Sequence, residues 1–207
     1  MSREWFSPLE LRAPTLTARD FRWQPMPETD EASAAVLVLF GPAGDAGDVV
    51  LIERPSHMRS HAGQPAFPGG RMDEGETPTQ TALREAAEEV GLKPDSVSVI
   101  AELPQLWLPP SRFKVTPVLA WWESPHELHT LNADEVSAVH RVPVAELIDP
   151  ANRARVRTRS GYMGPAFTVR GMLVWGFTGG VLSQLLDVAG WAVPWDDARV
   201  LEVEGTR

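Results

Sequence analysis

Cysteine is absent from the chain. That excludes disulfides, cysteine-held zinc and a thiol nucleophile, and it suits a reducing compartment. Long apolar runs are missing as well. A bilayer span takes roughly 20 apolar residues, whereas the longest run here, Ala34–Phe40, is the length of a strand. The start of the chain, MSREWFSPLELRA, has no basic opening, apolar middle or small-residue cleavage site, so it does not read as a signal peptide. The expectation is a soluble, cytoplasmic protein with no membrane partner. Positive charge is scarce: 19 Lys and Arg stand against 28 Asp and Glu, a net charge of −9. Broad, salt-driven binding to nucleic acid is therefore not expected. A small anionic substrate stays compatible, because a few arginines and a bound metal create a local positive site on an acidic protein. Internal repeats and low-complexity tracts are also lacking.

The 207 residues suit one domain with elaborated ends. Residues 1–31 read as an N-terminal arm with a short helix near Leu9–Arg12, and residues 32–207 as a single domain with a C-terminal helical extension. Strands are predicted at Ala34–Phe40 and Asp48–Arg54, joined by a Gly/Pro-rich turn as a hairpin. Further strands are predicted at Val97–Ala101, Thr116–Trp122 and Val136–Val142, and helices at Pro143–Ile148 and Trp175–Val188. Strands and helices alternate, which gives an α/β (α+β) class with a mixed sheet between helices. The oligomeric state stays open, a homodimer included.

The most informative stretch is Gly70–Leu92, GRMDEGETPTQTALREAAEEVGL. Thr77 is an N-cap, Pro78 suits the first helical position, Gln80 completes a capping box, and Gly91 ends the helix. Spacings of three and four place Glu85, Glu88 and Glu89 on one face. Ala82, Leu83, Ala86, Ala87 and Val90 form an apolar stripe that can dock on a sheet. Alone, Glu-Glu on a helix is ordinarily a solvated acidic face. Three aligned carboxylates repel one another, and Mg²⁺ or Mn²⁺ relieves this through oxygen ligation. Such ions can also bridge and neutralise a pyrophosphate.

The spacing Gly, five residues, Glu, seven residues, then Arg-Glu-apolar-any-Glu-Glu-any-Gly-apolar resembles the Nudix box. It is met by Gly70, Glu76, Arg84, Glu85, Ala86, Glu88, Glu89, Gly91 and Leu92. The resemblance implies an α/β/α sandwich and metal-dependent attack of water on phosphorus in a small nucleotide-derived substrate. It assigns Glu85 and Glu89 as main metal ligands and the Gly69 carbonyl as a further one. Glu88 binds metal directly or through water, or helps deprotonate the attacking water. Arg84 and Glu76 become a structural pair bracing the loop against the helix.

Leu51–Gly70 carries a second pattern. Arg54 and Arg59 suit phosphate contacts. His57, His61 and Gln64 offer hydrogen bonds, and Gly63, Gly69 and Gly70 permit close backbone approach. A locally bonded structural loop would show the same residues. As a whole the segment, with His61-Ala62-Gly63-Gln64 and Phe67-Pro68-Gly69-Gly70, resembles the coenzyme A pyrophosphatase group of Nudix enzymes. That resemblance implies cleavage of a CoA-like substrate to 3′,5′-ADP and 4′-phosphopantetheine, with Arg54, Arg59, His61, Gln64 and Phe67 on the substrate side. Asn132–Val136 and Val174–Thr178 extend it more weakly. ADP-ribose, NADH or a nucleoside triphosphate are the alternatives within the fold, and a non-catalytic nucleotide-sensing module is the alternative outside catalysis. Glu135 is either a loop carboxylate that assists catalysis or an exposed acid. Of Trp121 and Trp122, one is expected in the core, since neighbours on a strand face opposite sides. Arg153, Arg155, Arg157 and Arg159 suit either a solvated edge strand or loop, or a basic stripe for a phosphate.

Overall fold

The computed structural model describes residues 3–21, 23, 26, 32–44, 47–55, 63–109 and 112–203. The described N-terminal part forms helix α1 (Ser7–Arg12) between two 3₁₀ turns. Strands β1 (Ala32–Gly41), β2 (Asp48–Glu53), β3 (Pro65–Ala66) and β4 (Gly69–Arg71) precede helix α2 (Pro78–Val90). Then come β5 (Val97–Glu102), β6 (Leu106–Leu108), β7 (Phe113–Trp122), β8 (Ala138–Pro143) and helix α3 (Val144–Ile148). The chain closes with β9 (Arg153–Thr158), β10 (Met163–Val169), β11 (Met172–Val174), helix α4 (Gly176–Val188) and β12 (Val200–Val203).

The first eight strands make one mixed sheet. Its spine is β1, paired parallel to β7 along its length. On its other side β1 changes partner. Ala34, Ala35 and Val36 pair antiparallel with β4, whereas Phe40 and Gly41 pair with β2. Between these stretches, Leu37 N–H donates to Pro68 O at 2.8 Å. The predicted hairpin therefore exists only at its turn; β2 then parts from β1 and pairs with β3 and β8. The split admits the segment leading into Gly69, which brings that segment beside α2.

Period-two alternation sorts the sheet's side chains into two cores. Leu37, Leu39, Val50, Ile52, Val118 and Trp122 pack with Ala82, Ala86 and Val90 of α2. Val38, Phe40, Val49, Leu51, Leu119 and Trp121 face the opposite way, onto α1, α3, α4 and the second sheet. The expected three layers, helices on both faces of a mixed sheet, are present. Trp121 and Trp122 do point to opposite sides, but both are buried, because both sides are covered. Trp5 and Phe6 pack on Phe40, Trp121 and Trp191, with Phe6 and Trp121 centroids 5.1 Å apart.

The C-terminal strands form a second sheet in the order β11-β10-β9-β12, with β12 parallel to β9. The arginine-rich stretch is thus an interior strand, which corrects the edge-or-loop expectation. Arg153 is buried: its Nη2 donates to Ser183 Oγ at 2.9 Å, and its guanidinium lies over Phe167 and Trp195. Arg157 instead reaches out to Glu202 on β12. Among the described residues, no helix is long and apolar enough to cross a membrane.

Helix α2 is punctuated as the sequence predicts. Thr77 Oγ1 accepts from Gln80 N–H at 3.2 Å, Gln80 Oε1 accepts from Thr77 N–H at 2.8 Å, and Gly91 closes the helix at φ 70°. Thr77→Ala should cost about 1 kcal/mol, read as a lower urea midpoint with unchanged slope. An unchanged midpoint would mean that other contacts hold this end of the helix.

Candidate active site

Docking α2 on the sheet separates the three aligned carboxylates. Glu89 lies on the flank of the apolar stripe and is 4% exposed; Glu85 is largely covered; Glu88 faces solvent. The face is shared, but the environments are not. Burial pushes the Glu89 carboxyl up to about 7, against the opposing pull of the Gly69 N–H and of Arg54. Glu85 is raised as well, first by burial, with Arg84 opposing and the charges of Glu88 and Glu135 adding to the rise.

The turn before the helix supplies the partner. Gly69 N–H donates to Glu89 Oε2 at 2.9 Å. Gly69 sits at φ 151°, and a Cβ there would collide with Ala35 O and Val36 on β1. At Gly70 a Cβ would stand 2.6 Å from the Glu85 carboxyl carbon. Both positions need glycine, because backbone and carboxylate approach where a side chain would intrude.

Arg84 braces the loop as expected. Its Nε and Nη2 make a two-pronged pair with Glu76 at 2.8 and 3.0 Å, and Nη2 also reaches Arg71 O at 3.2 Å. Glu76 further accepts from Thr81 Oγ1 at 2.6 Å and Asp73 N–H at 3.0 Å. These bonds, the Arg84 ones foremost, hold its carboxyl down to about 2. Arg84 also does something the spacing did not show: Nη1 donates to Glu85 Oε1 at 2.9 Å and reaches Glu88 Oε2 at 3.4 Å. It partly neutralises the acidic face. Among the described residues no three His, Cys, Asp or Glu side chains converge on one point.

The donor set nevertheless fits a hard divalent cation. Glu89 is a buried carboxylate short of counter-charge, Glu85 lies one turn away, and both abut the Gly69–Gly70 backbone. All the donors are oxygens.

Next to this turn lies a cavity of about 720 Å³. Arg54, Gln64, Phe67 and Gly69 line it, four of the positions singled out in the sequence. Phe67 is buried in the core. Arg54 and Gln64 close the base of their loop, with Arg54 N–H donating to Gln64 O at 3.2 Å. Arg59 and His61, with His57, fall outside the described residues. Glu135 is exposed on a turn anchored by buried Val136; its charge is felt at Glu85 and Glu89. Arg71, Trp23, Tyr162 and Phe177 also line the cavity and were not singled out for chemistry. Arg71 follows Gly69 and Gly70 on β4, whereas the other three join from distant parts of the chain. Among the described residues its charged lining is Arg54 and Arg71 alone, in a chain of net charge −9.

Residues 30–165 match the model of the NUDIX domain, well over half of the chain. The chain belongs to the Nudix hydrolase family. Over 144 residues it is 39% identical to Nudix hydrolase 3 of Caenorhabditis elegans, an alignment that covers 68% of this chain and 60% of that protein. The chain thus spans less than two thirds of that relative. It is 37% identical over 144 residues to the uncharacterized Nudix hydrolase NudL of Escherichia fergusonii, covering 66% of this chain and 72% of NudL. The Nudix hydrolase RenU of M. smegmatis shares the fold, with TM-score 0.54 and 20% identity over 80% of this chain and 90% of that one. Nudix hydrolases generally use divalent metal ions, and the carboxylate helix α2 lies within the matched region.

The Nudix carboxylates set a pH dependence. In metal-free protein Glu89 ionises near 7, whereas in the unfolded chain it ionises near 4.5. The stability it confers is complete below the unfolded value and lost as pH rises through about 7; Glu85 acts in the same direction. Urea unfolding in EDTA between about pH 4 and 8 should show a loss on the order of 3 kcal/mol, most of which Glu89→Gln removes. Parallel pH profiles for the two proteins would refute the assignment.

Proposed function

We propose that the chain is a divalent-metal-dependent diphosphatase that cleaves coenzyme A or a derivative to 3′,5′-ADP and 4′-phosphopantetheine. The observation that carries this is a positively lined cavity reaching Gly69 and Gly70, beside the buried Glu89 carboxylate that the Gly69 N–H holds. Glu85 and Glu89 would hold Mg²⁺ or Mn²⁺, with the Gly69 carbonyl beside them and Glu88 contributing directly or through water. When bound, the cation supplies charge neutralisation at the diphosphate.

The chain's own groups do the rest. Arg54 pairs with a phosphate at the cavity end nearest Glu89. Water attacks phosphorus, the anhydride P–O bond breaks, and the water proton passes to a carboxylate. Glu88 and Glu135, both exposed, are the acids to which we assign that proton. Arg84 and Glu76 stay with each other and keep the turn pressed on the helix. The choice of CoA rests on the resemblance of Leu51–Gly70, with Arg59 and His61 among its substrate contacts.

Glu85→Gln and Glu89→Gln should each keep the fold and raise the barrier by about 4 kcal/mol, roughly a thousandfold in rate. Full activity of either variant, or of the native chain in excess EDTA, would overturn the metal role. Hydrolysis of CoA, ADP-ribose, NADH and dATP compared side by side tests the substrate. CoA should lead in kcat/KM; a clear preference for another member of the panel would replace it.

A further inference from the structure

We propose that Trp23, which precedes the matched Nudix region, is a base-binding residue: its indole forms the wall on which the flat heteroaromatic base of a nucleotide stacks. This rests on the diphosphatase reading for one point only, that the diphosphate lies at the Arg54 end of the same cavity.

Trp23 lines the cavity while lying outside residues 30–165. Three contacts set its plane. The indole N–H donates to Trp107 O at 2.6 Å. The ring meets Phe177 nearly edge-on, at 5.6 Å and 82° between planes. It also lies against Gly180 on α4, where a Cβ would stand 2.6 Å from the ring. Phe177 and Gly180 are three apart on the helix and so share a face. Gly180 is the gap on that face that receives the indole. The ring is thus positioned from three directions yet only half-buried.

This is how a stacking surface is built. An aromatic face fixed in advance costs little entropy when a ligand meets it, and it accepts any base because every base has a π-face. The rest of the cavity suits a nucleotide. Arg54 and Arg71 bring positive charge, and Thr158, Ser160 and Tyr162, from the end of β9 and the turn after it, add polar residues to the lining. Catalytic carboxylates and base-binding wall therefore come from different parts of the chain.

The test separates base from phosphate. Binding of ADP and of inorganic pyrophosphate, each with Mn²⁺, is measured calorimetrically on the full chain and on Trp23→Ala, Trp23→Phe and Gly180→Ala. Trp23→Ala should weaken ADP about tenfold and leave pyrophosphate within about twofold, as expected for loss of one stacked base. Trp23→Phe should keep most of the ADP affinity. Gly180→Ala, which touches the ring from behind and does not line the cavity, should weaken ADP in the same selective way. Equal weakening of both ligands, unchanged ADP affinity, or a native chain that binds ADP no better than pyrophosphate would each overturn the proposal. If Trp23→Ala does not fold, Gly180→Ala decides alone: a selective loss of ADP supports the proposal and any other result overturns it. A native chain that binds ADP through Trp23 but cleaves no CoA would overturn the substrate reading and leave this one standing. CoA cleavage with unchanged ADP affinity in the variants would do the reverse.

Discussion

The hydrogen bond from Gly69 N–H to Glu89 is the contact on which the site depends. It ties the turn, which β4 holds on β1, to the helix docked on the same sheet. Only a glycine can bring its backbone that close to β1. Once the bond is made, neighbouring geometry follows: Gly70 lies against Glu85, and Arg71 O comes within reach of Arg84. Among the described residues Glu89 is left as a desolvated acid held by the Gly69 N–H, a group that gains from any cation brought beside it.

Charge is sorted around that bond. The acids stand on α2, where Arg84 spreads its guanidinium between Glu76, Glu85 and Glu88. The arginines Arg54 and Arg71 turn into the cavity instead. A chain with net charge −9 thus sets a cavity lined by two arginines beside the acidic face of α2. The second sheet and α4 supply the aromatic far side, so the box and the base-facing wall are built by separate parts of the fold.

What could be read in advance was whatever depends on near neighbours. The capping box spans three residues, and both of its bonds form. The alternation in β1, β2 and β7 sorts side chains into two cores because strand pleating has period two. In the second sheet the β9–β10 and β10–β11 hairpins are local pairings that the sequence reading missed, whereas the parallel pairing of β9 with β12 spans some forty intervening residues and leaves no local trace. Arg153 misled for the same reason. An alternating arginine strand looks exposed until Phe167, Trp195 and Ser183 arrive from elsewhere to cover one member.

By itself the sequence determined that three carboxylates share one helix face, that a glycine turn precedes them, and that helices flank a mixed sheet. All of these follow from backbone periodicity and from contacts a few residues long. Tertiary structure alone decided that Glu89 is the buried acid, that Arg84 reaches Glu85 and Glu88 as well as Glu76, and that Trp23 meets Phe177 and Gly180 at the cavity. Desolvation and wall-building depend on what packs against a residue from far along the chain, and spacing carries no record of that.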